Sequence, residues 1–143
     1  MLEFFGEIKQ DLQVVERELN SVVRTQNALL TETSTHLLNA GGKRLRPALI
    51  LFSAKFYNYD LEKVLPLAVA IELIHMSSLV HDDVVDASMT RRGIPTVKAK
   101  WGNSISIHIG SYFFAKSLNL IARYEGIPLI SKVLSDTSVK MCE

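Results

Sequence analysis

Between residues 73 and 93 the chain reads LIHMSSLVHDDVVDASMTRRG, a mostly apolar run into which His75, His81, Asp82, Asp83 and Asp86 are set, with Arg91 and Arg92 close behind. On a helix turning about 100° per residue, Asp82 and Asp86 fall one turn apart and about 40° from each other, and His75 lies within about 20° of Asp82. Asp83 sits a quarter-turn aside. Carboxylates at a helix C-terminus oppose the macrodipole and repel one another, so they cost stability there unless a cation neutralises them. An all-carboxylate set selects a hard ion, and Mg²⁺ commonly takes one or two carboxylates and fills its shell with phosphate oxygens. On spacing alone, a plain solvated helix end fits the three acids equally well.

The basic residues tip that balance. Gly41-Gly42-Lys43-Arg44-Leu45-Arg46-Pro47 sets three cations and two glycines at the start of a helix, where free backbone N–H groups and forked guanidinium donors suit a phosphate. Arg91-Arg92-Gly93 supplies a second basic patch just beyond the acids. Either patch alone could be a solvated turn. With the acidic helix end they describe a site where Mg²⁺ and basic side chains hold two separate diphosphates. His36, His81 and His108 are read as structural, and Cys142, with no partner and little basic surrounding, is given no chemistry.

The elements that must carry these groups are helices. Phe4, Phe5, Ile8, Leu12, Val15 and Leu19 recur at three- and four-residue intervals between charged residues, which marks an amphipathic first helix. A second runs from about Gln26 to Asn39 and closes at Ala40-Gly41-Gly42. A third has Pro47 in its first turn and reaches toward Tyr57. Asp60 is the N-cap of a long fourth, from about Leu61 to Ala87, with a kink or split possible at Pro66. A loop with Gly93 and Pro95 passes Trp101-Gly102-Asn103 into a helix from Ile105 to Tyr124, and a last helix begins after Pro128 and still runs at Glu143.

With 143 residues, 48% of them hydrophobic and 22% charged, the chain has the composition of one globular domain. A net charge of +1 offers no bulk attraction to nucleic acid or to anionic membrane. No uninterrupted apolar run reaches the ~18 residues of a membrane span, so any lipid contact is expected to be peripheral. One cysteine and no signal-peptide pattern point to the cytoplasm.

GGKRLRP, then E-x-I-H-x-x-S-L-V-H-D-D-V-V-D, then RRG-x-P resemble, in order and over nearly the whole chain, the N-terminal half of a trans-prenyltransferase, a polyprenyl diphosphate synthase. Within that family the sequence is most similar to the larger subunit, component II, of two-component heptaprenyl diphosphate synthases. The resemblance implies an all-α, antiparallel helical bundle of the isoprenoid synthase type. It also implies Mg²⁺-dependent head-to-tail condensation of isopentenyl diphosphate with an allylic diphosphate, giving a medium- or long-chain polyprenyl diphosphate of the kind used for quinone side chains such as menaquinone's. Carried over residue by residue, Asp82 and Asp86 hold Mg²⁺ on the allylic diphosphate with Asp83 in support. Lys43, Arg46, His75 and Arg92 bind isopentenyl diphosphate, and Arg91 the allylic diphosphate. Ser77 and Ser78, a turn before Asp82, form the floor of the product tunnel, and their small size implies a product longer than farnesyl diphosphate. The implied partner is a second copy or a small synthase subunit.

Two departures qualify the resemblance. The family is about twice this length, and its second aspartate-rich motif has no counterpart here, because after Asp86 the only acids are Glu125, Asp136 and Glu143. Residues 1–143 are thus expected to be the N-terminal portion of a synthase domain, inactive alone. Ser111 stands where the family usually has an aspartate. Two other readings stay open: a non-catalytic helical subunit that keeps the motifs by descent, and a class I terpene cyclase, which GGKRLRP disfavours because a cyclase holds no isopentenyl diphosphate.

Overall fold

Side-chain caps at Asn27, Asp60 and Thr96 mark the starts of three helices among the described residues. The computed structural model describes residues 6–142; Phe4 and Phe5 of the expected first helix, and Glu143, lie outside them. Helix α1 (Lys9–Val22) buries Leu12, Val15 and Leu19, the expected apolar stripe. Helix α2 (Ala28–Asn39) starts at Asn27, whose side chain accepts the Leu30 N–H. Behind it, Gly41 takes φ 71°, a left-handed conformation that favours glycine. Helix α3 (Leu45–Lys55) follows at once, with Pro47 buried in its first turn. Helix α4 (Leu61–Val85) is capped by Asp60, which accepts the Glu62 N–H at 3.1 Å.

Helix α4 is the axis of the fold, packed against α1, α3 and α5. It buries Val69, Leu73, Met76 and Val80 among others. Its 25 residues are long and apolar enough to cross a membrane, with a mean hydropathy of 1.6 over 18 residues, half of them buried inside the protein. That corrects the expectation that no such stretch exists. Counting uninterrupted apolar residues missed it, whereas an average tolerates scattered polar groups. A helix apolar on all sides suits a protein core as well as a bilayer.

Pro66 does not split α4. A proline inside a helix removes one hydrogen bond, here to the Glu62 carbonyl, and pushes against that carbonyl a turn earlier, and the hydroxyl of Tyr124 braces the helix at the next pair along. It accepts the Leu67 N–H at 3.1 Å and donates to the Lys63 carbonyl at 2.5 Å, bridging the two groups that an unbroken helix would join directly.

The segment expected as loop after Arg92 is more ordered. Strands β1 (Thr90–Arg91) and β2 (Ile94–Pro95) pair antiparallel. Their two-residue turn has Arg92 at φ 54° and Gly93 at φ 80°, the positive pair that a type I′ hairpin turn requires. Helix α5 (Val97–Ile121) begins well before Ile105, because the Thr96 hydroxyl accepts the Ala99 N–H at 3.1 Å. Gly102, at φ 84° and ψ 172°, is its non-helical residue. A 3-10 turn (Ala122–Tyr124) leads to α6 (Pro128–Cys142). The all-α bundle expected from the sequence is the fold observed among the described residues. Where α4 meets α5, the His81 ring occupies the space that a Cβ on Gly110 would need, and its Nε2 lies 3.3 Å from the Ile107 carbonyl. His81 is a packing residue, as expected.

Candidate functional site

Three segments converge at the C-terminal half of α4: the α2–α3 connection with Lys43 and Arg46, α4 itself with His75, and the hairpin with Arg91 and Arg92. Lys43, Arg46, His75 and Arg92, with Gly42, Arg44, Leu45 and the Arg44-bound Glu72, line a cavity of about 470 Å³, within the size range of small-molecule sites. Lys43, Arg46 and Arg92 are exposed and His75 is half-buried. Burial and the positive charges of Arg46, Arg92, Arg91 and Arg44 push the His75 imidazole down to about 4. It is therefore neutral at pH 7, and one ring nitrogen can donate while the other accepts. Like charges gathered around one ring are unfavourable until an anion joins them, which suits the cavity to a polyanion.

Arg44 is turned away from this task. The sequence groups it with the phosphate-binding cations, but the structure buries it at 9% exposure. Its Nε and Nη2 donate to the two carboxylate oxygens of Glu16 on α1, and its Nη1 donates to Glu72 on α4 at 3.1 Å. Burial works against the charged guanidinium. The hydrogen bonds and charges of the two glutamates outweigh burial and hold the pKa above its ordinary value.

The acids divide into two kinds. Asp83 is buried at 4% exposure, and its Oδ1 accepts from Arg91 Nε at 2.9 Å and from Nη2 at 2.8 Å. Asp82 and Asp86 are exposed, and no ion pair engages either among the described residues. Nor do the described residues include a group of three or more His, Cys, Asp or Glu side chains placed to hold a metal. Two free carboxylates a turn apart fit Mg²⁺ only if other oxygens complete its shell, which is how that ion binds with a substrate diphosphate. Of the expected floor pair, Ser77 is buried, while Ser78 is half-buried on the Asp82 side of α4 and donates to the His75 carbonyl at 2.8 Å.

The hairpin has its own anchor. His36 Nε2 donates to the Pro95 carbonyl at 2.8 Å, and its ring stands edge-on to Trp101 with centroids 5.1 Å apart. Gly42 closes the space between the two basic segments: a Cβ there would lie 2.8 Å from Arg44 Nη1 and 2.9 Å from Arg92 Nη1. The sequence reading assigned no part in the site to Glu16, Glu72 or His36. Glu72 had a visible signal, a lone acid three residues before His75 on an otherwise apolar helix.

Residues 27–143 match the polyprenyl synthetase family. The chain belongs to that family. Similar polyprenyl synthetase relatives include heptaprenyl diphosphate synthase component 2 of Bacillus subtilis (strain 168), 47% identical over 135 residues that cover 94% of this chain and 38% of that protein. The component 2 of Geobacillus stearothermophilus is 49% identical, with 94% and 42% covered. Among solved structures, geranylgeranyl pyrophosphate synthetase from Pyrococcus horikoshii Ot3 superimposes with a TM-score of 0.89 at 35% identity, covering 98% of this chain and 44% of that one. A polyprenyl synthase from Caulobacter crescentus CB15, complexed with calcium and isoprenyl diphosphate, gives a TM-score of 0.89 at 30% identity over 96% of this chain and 42% of its own. This polyprenyl synthetase chain thus spans about two fifths of the length of the relatives it matches.

Proposed function

We propose that this chain carries the diphosphate-binding and Mg²⁺-binding wall of a polyprenyl diphosphate synthase, which joins isopentenyl diphosphate head-to-tail to an allylic diphosphate. The observation that carries the reading is the pairing of two surfaces on one helix. His75 faces a cavity of about 470 Å³ ringed by Lys43, Arg46 and Arg92, and Asp82 and Asp86 stand unpaired two turns on. The solved relative complexed with calcium and isoprenyl diphosphate supports the same assignment.

On this reading Lys43, Arg46 and Arg92 hold the diphosphate of isopentenyl diphosphate, and neutral His75 donates to it without adding charge. Arg91, oriented by buried Asp83, keeps Nη1 free for the allylic diphosphate. Asp82 and Asp86 would hold Mg²⁺, which when bound neutralises and polarises the departing diphosphate. The apolar wall of α4 below the ionic rim excludes water from the hydrocarbon. Ser78 leaves that wall open, so the product exceeds farnesyl diphosphate; Ser78→Phe in the complete enzyme should shorten it. The likeness to component 2 proteins favours assembly with a second synthase subunit.

Isothermal titration of this chain with a nonhydrolysable allylic diphosphate, with and without Mg²⁺, tests the reading. Binding that needs Mg²⁺ and is lost in Asp82→Asn and Asp86→Asn is the expected result. Heat absent under all conditions would favour the second reading, a non-catalytic helical subunit.

A further inference from the structure

We infer that Arg44 is a positioning residue, a clamp that uses Glu16 and Glu72 to set the Lys43–Arg46 segment at the right distance from His75. The inference rests on the reading of the cavity as a diphosphate site. Arg44 sits between the two cations it would position, and its backbone is held at φ 47°, a left-handed conformation that residues other than glycine rarely adopt. Something must hold it there. Among the described residues the clamp does so from two sides: Glu16 reaches from α1, and Glu72 reaches from α4 three residues before His75. All three guanidinium nitrogens donate to these carboxylates. Arg44 is thereby tied to protein acids and not presented to a ligand, unlike its exposed neighbours Lys43 and Arg46.

The clamp also reaches the hairpin. Arg44 Nη1 and Arg92 Nη1 both approach the Gly42 position closely, so moving the Arg44 head group changes the room available to Arg92. One network thus sets the relative places of cations from two segments around one cavity.

A positioning role and a simple charge effect predict opposite signs. Glu16 is 40% exposed and does not line the cavity. Glu16→Gln removes a negative charge, which by Coulomb attraction alone would tighten anion binding. The clamp predicts the reverse. Titrated with inorganic diphosphate, Glu16→Gln should bind about threefold or more weakly than the unaltered chain, because cations misplaced by an ångström lose much of their effect. Glu16→Asp, which keeps the charge on a shorter arm, should weaken binding in the same direction.

Hydrogen exchange supplies the independent arm. Peptides covering Gly41–Arg46 should exchange faster in Glu16→Gln, while peptides from α5 keep their protection. Unchanged or tighter diphosphate binding in Glu16→Gln, or unchanged exchange of that segment, would overturn the inference. If the unaltered chain binds no diphosphate, the functional reading falls, and the exchange arm still decides the clamp. If Glu16→Gln does not fold, the same two measurements on Glu16→Asp decide it.

Discussion

Replacing His75 with glutamine should remove a specific acid sensitivity from the fold. In the native chain the imidazole is pushed from 6.5 down to about 4, first by burial and then by Arg46, Arg92, Arg91 and Arg44. A group whose folded pKa is depressed in this way is neutral in both states above pH 6.5, so nothing is lost there. Between pH 6.5 and 4 the unfolded chain takes up a proton that the folded chain refuses, and stability falls. At about 1.4 kcal/mol per pKa unit the loss would reach about 3.4 kcal/mol. The ring is only half-buried and solvent screens its neighbours, which reduces the figure to about 1.5 kcal/mol. For a chain of this size that is about 5 °C in Tm. Thermal unfolding of native and His75→Gln chains at pH 7.5 and pH 4.5 measures it, since the carboxylate titrations common to both cancel in the difference. Native protein should lose about 5 °C more than the variant on acidification. Equal losses would show that the ring is not surrounded by cations and would dismantle the cavity as described. Diphosphate bound among those cations should reverse the effect, so that binding at pH 5.5 takes up protons; calorimetry in buffers of different ionisation enthalpy would detect this.

Arg91→Met should destabilise by about 2–3 kcal/mol, because it strands the buried Asp83 carboxylate, and the double change Arg91→Met with Asp83→Leu should recover most of that in urea unfolding. Tyr124→Phe should cost about 1–2 kcal/mol by unpairing the Leu67 N–H and the Lys63 carbonyl, with faster amide exchange confined to the first three turns of α4. Asp82→Asn should leave Tm unchanged or raise it slightly, relieving an acid near the negative end of a helix by about 0.5 kcal/mol, while abolishing Mg²⁺-dependent diphosphate binding. Exposed apolar stripes, Leu45 and Leu49 on α3 with Phe56 just past its end, and Ile107, Phe114 and Leu118 on α5, should make the chain self-associate; a single monomer boundary in sedimentation at high concentration would contradict this.

Much of the site was legible because it obeys helical period. His75, Asp82 and Asp86 could be placed on one side of α4 from spacing, and Asp60 and Gly41 could be read as helix boundaries from their local chemistry. What spacing cannot supply is the choice of partner across the fold. Asp83 and Asp82 are neighbours of identical type, yet one is buried against Arg91 and the other is left free. Arg44 looks like Lys43 and Arg46 in the sequence and is told apart only by Glu16, which arrives from another helix. The hairpin escaped because two-residue strands are too short to alternate. The early start of α5 escaped because Gly102 masks the turn that precedes it.

The brace beside Pro66 has a consequence for the order in which the molecule can be built. The hydroxyl that bridges α4 beside its proline belongs to a residue 57 positions later than the amide it receives. On a ribosome, every group assigned to the site would have emerged while that bridge was still missing. The axis of the bundle would set only once the turn beyond α5 had swung back and latched onto it. A fragment ending at residue 120 would keep every acid and arginine assigned to the site, and its central rod would fray at the start.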